Sequence, residues 1–267
     1  MSISMERSCY GLTCTGRRRR NVPSLGLIGC GLMGASIGLG ARARGWAVLG
    51  YDAAPAAARE AIDYGAIDRA AGRDEVYASS DIVVIAAHIS GTLDEIARLH
   101  ERPKRSGRIV LDVASIKGPI ADAARGIAEF VPTHPMAGSE RTGAAAARGD
   151  LFTGRTWCYV PSADEARVAR VRDFIALLGA VPLAVDADRH DRVVAFTSHL
   201  PQWIAYAFAE RYESEQTDRE LFSALCGPAA SELLRLGRSS RAMWDDIFAY
   251  NEPALCLEID AMRERLK

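Results

Sequence analysis

The sequence predicts an α/β protein with a doubly wound parallel sheet, followed by a smaller all-helical domain. From residue 24 onward, strand-like apolar runs alternate with helical ones, and this alternation is typical of a parallel sheet covered by helices. A glycine-rich turn joins the first strand to the first helix. Strand-like runs stop near Ala187. We therefore expect a leader over residues 1–23, a first domain over 24–187 and a helical domain over 188–267.

Each element of the first domain follows from its apolar pattern. Short β-rich apolar runs predict strands, and apolar residues at helical spacing predict helices. The predicted strands are Leu25–Ile28, Trp46–Tyr51, Ile82–Ala86, Arg108–Val113, Glu129–Thr133, Thr156–Val160 and Val181–Val185, and the clearest predicted helices are Leu32–Arg44, Pro55–Tyr64 and Asp164–Leu178. We expect all seven strands to extend one parallel sheet.

The second domain is predicted to be helical throughout. An amphipathic helix is indicated by residues at three- and four-residue steps, namely Val193, Phe196, Thr197, Leu200, Ile204 and Phe208. Leu221–Leu236 and Ala254–Leu266 are predicted helices as well. A segment of this size makes a small core for an independent domain. We therefore expect these helices to bury apolar surface against a second subunit, which predicts a homodimer.

Composition narrows the class of protein. Of 267 residues, 49% are apolar and 25% charged, as in ordinary soluble proteins, and the net charge of −1 argues against nucleic acid or an acidic membrane as partner. A run of about twenty uninterrupted apolar residues, the length of a membrane span, is missing. The six cysteines are scattered without a C-x-x-C pair or zinc spacing. We expect reduced thiols, a cytoplasmic location and no metal.

The N-terminus imitates a secretory signal. The basic run Arg17–Arg20 precedes an apolar stretch that ends in Ala41-Arg42-Ala43, which resembles a cleavage site. The apolar stretch is better explained as a strand, a glycine turn and a helix, because cleavage there would remove the turn. Residues 1–23 are therefore interpreted as a disordered leader or as the product of a translation start assigned too early.

The glycine turn predicts a dinucleotide site of the Rossmann type. Gly29-Cys30-Gly31-Leu32-Met33-Gly34 follows a strand and opens a helix, and Asp52 ends the next strand, at about the twenty-residue spacing of dinucleotide-binding folds. The first glycine permits the tight turn, the second lets the backbone approach the pyrophosphate, and the third lets helix pack on strand. The alternative is a glycine turn in another α/β fold.

The acidic residue at the end of the second strand predicts the choice of cofactor. Asp52 would accept hydrogen bonds from the ribose hydroxyls and repel a 2′-phosphate, which favours NAD over NADP. His88, after the third strand, is interpreted as a tolerated loop residue near the cofactor. The predicted cofactor-binding residues are Gly29, Gly31, Leu32, Met33, Gly34, Asp52 and Ala87.

Three further motifs complete a family pattern. Asp112-Val-Ala-Ser115-Ile-Lys117 and His134-Pro-Met-Ala-Gly-Ser-Glu140 each lie at the end of a predicted strand, and Ser198-His199-Leu-Pro lies in the helical region. Together with the glycine turn, these motifs resemble the prephenate/arogenate (cyclohexadienyl) dehydrogenases of tyrosine biosynthesis, over residues 24 to about 260. The resemblance implies NAD-dependent oxidative decarboxylation of a small cyclohexadienyl acid.

The resemblance also implies roles for two residues of the first domain. His134 would be the catalytic residue that receives the hydrogen bond of the ring hydroxyl, a task that suits a neutral imidazole near pH 7. Ser115 would hydrogen-bond near that hydroxyl and the nicotinamide. For Lys117 two interpretations stay open, a functional one and a structural one in which it pairs near the edge of the sheet.

The helical domain supplies further candidates for substrate binding. The substrate-binding residues implied by the resemblance are Ser198, His199, Gln202, Glu232, Arg235, Trp244 and Glu140. Arginine can hold a carboxylate bidentately, so Arg235 is the candidate anchor, with Glu140 and Glu232 as its partners. The alternatives are a surface pair between Glu232 and Arg235, a packing role for His199 in a helix bent by Pro201, and an ordinary core position for Trp244.

Two departures from the family pattern leave the substrate open. Ser231 replaces the first arginine of the family's arginine motif, and Gln202 stands where members that take prephenate often have histidine. The neutral glutamine favours an amino-bearing side chain such as that of arogenate. The substrates that the resemblance implies are prephenate, arogenate or a close analogue such as 4-amino-4-deoxyprephenate. A β-hydroxyacid dehydrogenase would need a lysine in a glycine-rich helix, which we do not find. A non-catalytic NAD-binding sensor would not require Ser115 and His134.

Overall fold

A computed structural model describes residues 22–103, 105–138, 141–215 and 217–267. The first part of the chain contains a six-stranded parallel sheet with helices, and the last part is helical. The predicted fold class, a Rossmann-type sheet followed by a smaller helical region, is confirmed. The expected leader falls almost entirely on residues outside the described ranges, and Glu140 lies outside them too.

The parallel sheet brings the carboxyl ends of its strands to one edge. The strand order is β3-β2-β1-β4-β5-β6. The strands are β1 Ser24–Ile28, β2 Ala47–Tyr51, β3 Arg69–Ala70, β4 Ile82–Ile85, β5 Ile109–Asp112 and β6 Phe130–Val131. Because the order reverses between β1 and β4, a ligand crevice is expected beyond the carboxyl ends of these two strands.

Helices cover both faces of this sheet. They are α1 Leu32–Arg42, α2 Pro55–Asp63, α3 Arg73–Ser79, α4 Ile89–Glu101, α5 Gly118–Ala123 and α6 Glu165–Leu177. The core is accordingly divided in two: Ile82 and Val84 of β4 belong to one buried apolar cluster, and Val83 and Ile85 belong to the other. Successive side chains of a strand point to opposite faces, so a strand buried on both faces is apolar throughout.

The expectation of a single sheet is wrong. β7 Thr133–Pro135, β8 Thr156–Tyr159 and β9 Val181–Ala184 form a separate three-stranded sheet, in which β7 and β8 are antiparallel. The predicted strand Glu129–Thr133 is divided at Pro132, which has no N–H to donate to a ladder. The Pro132 carbonyl instead accepts from the N–H of Val160, at 2.9 Å, so the chain passes at this residue from one sheet to the other.

The C-terminal region consists of helices α7 Ala187–Val194, α8 Leu200–Ser214, α9 Arg219–Ala224, α10 Pro228–Gly237, α11 Arg241–Tyr250 and α12 Glu252–Arg265. Two predicted helices are interrupted. A π-helical turn over Ala195–His199 precedes Pro201, which cannot donate to the helical ladder. The predicted helix Leu221–Leu236 is divided before Pro228 for the same reason.

Much of the apolar surface of these helices is exposed in the single chain. Val193 and Phe196 are 52% and 54% exposed, whereas Leu200 of the same predicted face is buried. Leu225 and Leu257 are 75% and 69% exposed. The amphipathic face predicted from the sequence is therefore only partly covered by the chain itself. None of the helices in the described ranges is both long and apolar enough to cross a membrane.

Candidate active site

The glycine turn lies at the carboxyl end of β1. Gly29 has a φ of +100°, and a side chain there would overlap the carbonyl oxygen of Ala86. A side chain at Gly34 would overlap the carbonyl oxygen of Gly29, so α1 packs closely on the turn. A Cβ at Gly31, by contrast, would meet nothing within 4 Å. The fold itself thus requires two of these glycines, and Gly31 keeps space open beside the first N–H groups of α1, where a phosphate can bind.

Asp52 connects the end of β2 to this turn. Its Oδ2 accepts from the N–H of Cys30 at 2.8 Å, and its Oδ1 accepts from the N–H of Ala54 at 2.9 Å. The residues predicted to contact a cofactor therefore lie along the carboxyl ends of β1, β2 and β4. Of the others, Leu32, Met33 and Ala87 are half-buried. His88 is exposed and precedes the first residue of α4.

A buried ion pair lies at the end of β5. Lys117 Nζ pairs with Oδ2 of Asp112, and the two side chains are 1% and 0% exposed. Lys117 Nζ also donates to the carbonyl oxygen of Thr133 at 2.6 Å, and Asp112 Oδ1 accepts from the N–H of Thr133 at 2.8 Å. Burial raises the pKa of Asp112 and lowers that of Lys117, while the charge of each partner opposes these shifts. These contacts support the structural interpretation of Lys117.

The ion pair joins two of the predicted motifs. Ser115 is half-buried in the connection between Asp112 and Lys117. Thr133, held by both members of the pair, immediately precedes His134 in β7. Both motifs therefore lie beyond the carboxyl end of β5, at the edge of the parallel sheet that also carries the glycine turn.

His134 contacts a histidine that the sequence analysis did not identify. Its Nδ1 lies 2.9 Å from Nε2 of His190, and the two rings meet edge to face at 72°. His190 Nδ1 lies 2.7 Å from Oδ1 of Asp191. His190 and Asp191 are both buried in α7. In the sequence, His190 is marked only by the aspartate that follows it. Its role depends on the contact with His134, which is 56 residues away in the chain.

The Asp191 carboxylate also binds the start of α5. Its Oδ1 accepts from the N–H of Lys117 and its Oδ2 from the N–H of Gly118, both at 2.7 Å. A side chain of the helical region is therefore fixed to the connection that carries Ser115.

The surroundings of His134 keep its imidazole unprotonated. Burial lowers its pKa well below the ordinary value for histidine, and electrostatic interaction with His190, Lys117 and His199 lowers it further. An unprotonated imidazole can accept a proton at neutral pH. Among the described residues, no group of three or more His, Cys, Asp or Glu side chains is arranged to hold a metal ion.

His199 belongs to the same network. Asn251 Nδ2 lies 2.9 Å from the carbonyl oxygen of Asp191 and 3.1 Å from Nδ1 of His199. Burial lowers the pKa of His199 to about 4. Trp244 meets the His199 ring edge to face, with centroids 6.1 Å apart. Ser198 is half-buried in the π-helical turn, a feature often found at functional sites.

The remaining candidates lie on or against α10. Gln202 is buried, and its Nε2 donates to the carbonyl oxygen of Leu236 at 2.8 Å, which joins α8 to α10. Arg235 forms the expected pair with Glu232, at 3.0 and 2.6 Å, on an exposed face. His199 is thus linked to His134 through Asn251, Asp191 and His190. Arg235 and Glu232 contact each other on α10.

Two segments of the chain match family models. Residues 37–183 match the nucleotide-binding domain of prephenate dehydrogenase, and residues 186–267 match its dimerization domain. The probable prephenate dehydrogenase NovF of Streptomyces niveus is 32% identical over 247 residues, which cover 90% of this chain and 66% of that protein. The chain thus spans just under two thirds of the length of this relative.

Solved structures of similar proteins cover nearly the whole chain. The Aquifex aeolicus prephenate dehydrogenase in complex with hydroxyphenyl propionate and NAD+ is 25% identical, with a TM-score of 0.83 over 93% of this chain and 90% of that one. The Synechocystis arogenate dehydrogenase is also 25% identical, with a TM-score of 0.76 over 91% and 89%.

The two glycines of the turn should respond differently to alanine. Gly34→Ala should lower the free energy of unfolding by about 1–3 kcal/mol, because its methyl group overlaps a backbone carbonyl. Gly31→Ala should change it by less than about 0.5 kcal/mol but weaken dinucleotide binding at least about tenfold. Urea denaturation and a fluorescence titration with NADH measure the two effects. Undiminished NADH binding by Gly31→Ala would show that no phosphate approaches this residue.

The buried ion pair should contribute far more to stability than an exposed one. Lys117→Met leaves the carboxylate of Asp112 buried without its partner, and should lower the free energy of unfolding by about 3–5 kcal/mol. The control is Arg125→Met, which breaks the exposed Asp122–Arg125 pair and should cost no more than about 1 kcal/mol. Urea denaturation measures both. Equal losses in the two variants would contradict a supporting role for the buried pair.

Proposed function

Because this chain belongs to the prephenate dehydrogenase family, we propose that it catalyses NAD-dependent oxidative decarboxylation of prephenate, arogenate or a close analogue. The observation that carries the proposal is a buried His134 with a lowered pKa in β7, beyond the carboxyl end of β5 and so at the edge of the parallel sheet that also carries the glycine turn. Two solved structures that are 25% identical to this chain are named as a prephenate and an arogenate dehydrogenase. Family membership disfavours the β-hydroxyacid dehydrogenase alternative.

The proposed cofactor is NAD, which accepts a hydride when bound. Gly31 and the first N–H groups of α1 would hold its pyrophosphate, because the space beside Gly31 is open. Leu32, Met33 and Ala87 would line the same crevice. Asp52 would accept from the ribose hydroxyls, and its negative charge favours NAD over NADP. The Aquifex aeolicus structure, which contains NAD+, supports this choice.

His134 is proposed to take the proton of the ring hydroxyl. A carbon that bears O–H releases hydride more easily as its proton departs, so an acceptor within hydrogen-bond reach lowers the barrier. The oxidised ring carbon then draws in the electron pair of the bond to the ring carboxylate, CO2 leaves, and the ring becomes aromatic. Ser115 is proposed to orient the hydroxyl by a hydrogen bond. The Asp112–Lys117 pair flanks Ser115 in the sequence and holds the backbone of Thr133, which precedes His134.

Substrate specificity is assigned to the helical region. Arg235 is proposed to bind a substrate carboxylate bidentately, with Glu232 holding its guanidinium until substrate arrives. Gln202 is proposed to favour an amino-bearing side chain, acting partly by placing α10 through its bond to Leu236. Glu140, Ser198, His199 and Trp244 complete the proposed substrate site.

The proposed partner is a second copy of this chain. Val193, Phe196, Leu225 and Leu257 expose apolar surface on the helical region, which matches the dimerization model of the family. Covering such a surface in a homodimer removes it from water. The relatives named as prephenate dehydrogenases support a cytoplasmic location. With a net charge of −1, neither nucleic acid nor a membrane is proposed as a partner.

The reaction can be tested with prephenate, arogenate and 4-amino-4-deoxyprephenate, each offered with NAD and with NADP. Absorbance of the reduced cofactor should increase with at least one acid, and faster with NAD. His134→Asn should lower kcat by about 10²–10⁴-fold, the contribution of a general base, while NAD binding is retained. Because the pKa of His134 is lowered, kcat/KM of the wild type should stay level through pH 6.5 and fall only at lower pH.

His100→Asn is the matched control, because His100 is an exposed residue of α4 whose ring contacts the carbonyl oxygen of Ala123. It should retain wild-type kcat. A His134 variant within about threefold of wild type would remove His134 from the mechanism, since a general base contributes more than that. Binding of NAD without turnover of any of the three acids would favour the sensor interpretation.

Kinetics can distinguish two roles of Arg235, that of an anchor for the substrate carboxylate and that of an exposed ion-pair partner of Glu232. Arg235→Ala should raise KM for the preferred acid at least about tenfold with a smaller change in kcat, because a carboxylate anchor acts in ground and transition states alike. Arg241→Ala is the control, since Arg241 also forms exposed pairs, with Asp245 and Glu210. Steady-state kinetics compares the two. If both variants keep the wild-type KM, Arg235 is only a surface residue and Arg141 and Arg238 are the next candidates.

A further inference from the structure

The hydrogen positions between Asp191 and His134 follow from the partners of Asp191. Both carboxylate oxygens accept backbone N–H groups, those of Lys117 and Gly118 at 2.7 Å. The carboxylate is thus held as an acceptor, and its third contact, to His190 Nδ1 at 2.7 Å, requires the hydrogen to be on the imidazole. In a neutral imidazole only one nitrogen carries hydrogen, so Nε2 of His190 has a free lone pair.

The same reasoning determines the tautomer of His134. The lone pair of His190 Nε2 faces Nδ1 of His134 at 2.9 Å, and this contact is a hydrogen bond only if His134 Nδ1 carries the hydrogen. His134 Nε2 is then the nitrogen with the free lone pair. The chain of hydrogen bonds from His134 through His190 to Asp191 therefore uses Nδ1 of His134 as a donor and leaves its Nε2 to accept a proton.

We propose that His190 and Asp191 are positioning residues that hold His134 as the Nδ1–H tautomer, so that its Nε2 accepts the proton of the substrate hydroxyl. The last step rests on the proposed function, whereas the tautomer does not. When Nε2 takes up that proton, the Nδ1 proton can move to Nε2 of His190. The resulting imidazolium of His190 is paired with the Asp191 carboxylate, so the pair of histidines gains the one proton that the substrate hydroxyl loses, and no other side chain changes charge.

A second branch of the network gives the opposite tautomer. Asn251 Nδ2 donates to the carbonyl oxygen of Asp191, which identifies this atom as the amide nitrogen. Its contact with Nδ1 of His199, at 3.1 Å, therefore requires His199 Nδ1 to accept, and the hydrogen of His199 lies on Nε2. Asp191 thus determines both tautomers: Nε2 of His134 is left as an acceptor, and Nε2 of His199 is left as a donor. Because their tautomers are opposite, each of the two histidines is a reference for the other in the same NMR spectrum.

The tautomers can be measured in the full chain without any ligand. Two-bond ¹H–¹⁵N spectra of the uniformly ¹⁵N-labelled protein distinguish an N–H nitrogen from one with a free lone pair, and His134→Asn and His199→Asn assign the signals. In the wild type, His134 should carry hydrogen on Nδ1 and His199 on Nε2. Hydrogen on Nε2 of His134 in the wild type would overturn the proposal, and this result needs no variant to fold.

Two variants of His190 test how the tautomer is fixed. His190→Asn can still reach Asp191 but is too short to reach His134, so it should give a mixture of His134 tautomers and lower kcat about 10- to 100-fold with KM nearly unchanged. His190→Gln can place a carbonyl oxygen near the former Nε2 position, and should restore the Nδ1–H tautomer and most of kcat. His100→Gln, an exposed histidine of α4, is the control for histidine replacement.

The outcomes separate this proposal from the proposed function. An unchanged His134 tautomer and unchanged kcat in His190→Asn would overturn the positioning role. A purely structural His190 would lower the free energy of unfolding without changing the tautomer, and would not be rescued selectively by glutamine. If His134 carries hydrogen on Nδ1 and His199 on Nε2, but the protein oxidises none of the three acids, the positioning of His134 stands and the proposed reaction is overturned.

Discussion

The carboxylate of Asp191 joins the helical region to the connection that follows β5. It accepts the backbone N–H groups of Lys117 and Gly118 and the imidazole of His190. Lys117 continues the network in the other direction, because its Nζ binds Asp112 and the carbonyl oxygen of Thr133. One side chain of α7 thereby connects the motif that carries Ser115 to the surroundings of His134.

Such a network has a thermodynamic cost that its geometry must offset. Buried charges lose their hydration, and they are tolerated where each is paired and hydrogen-bonded, as Asp112 and Lys117 are. The same burial has a chemical consequence for His134, since it lowers the pKa of the imidazole and leaves the ring unprotonated. Positive charge on Lys117 acts in the same direction. The cation that supports the fold therefore also preserves the proton acceptor.

Motifs that are continuous in sequence divide into supporting and exposed residues in the structure. In the turn, Gly29 and Gly34 are required by close backbone contacts, whereas the space beside Gly31 is open. In the motif after β5, Asp112 and Lys117 are buried and hold Thr133, whereas Ser115 between them is only half-buried. A short motif can thus combine residues that stabilise the site with one that is available for a ligand, because neighbouring residues of a turn point in different directions.

The sequence by itself determined what depends on local pattern: the alternation of strands and helices, and the glycine turn with Asp52. Tertiary structure decided what depends on distant contacts. The second sheet arises where Pro132 ends the ladder, and His190 reaches His134 across 56 residues. The bond from Gln202 to Leu236 spans 34 residues. Periodicity identifies which face of a helix is apolar, but hydrogen bonds between helices depend on how those faces pack, and a single sequence does not encode that packing locally.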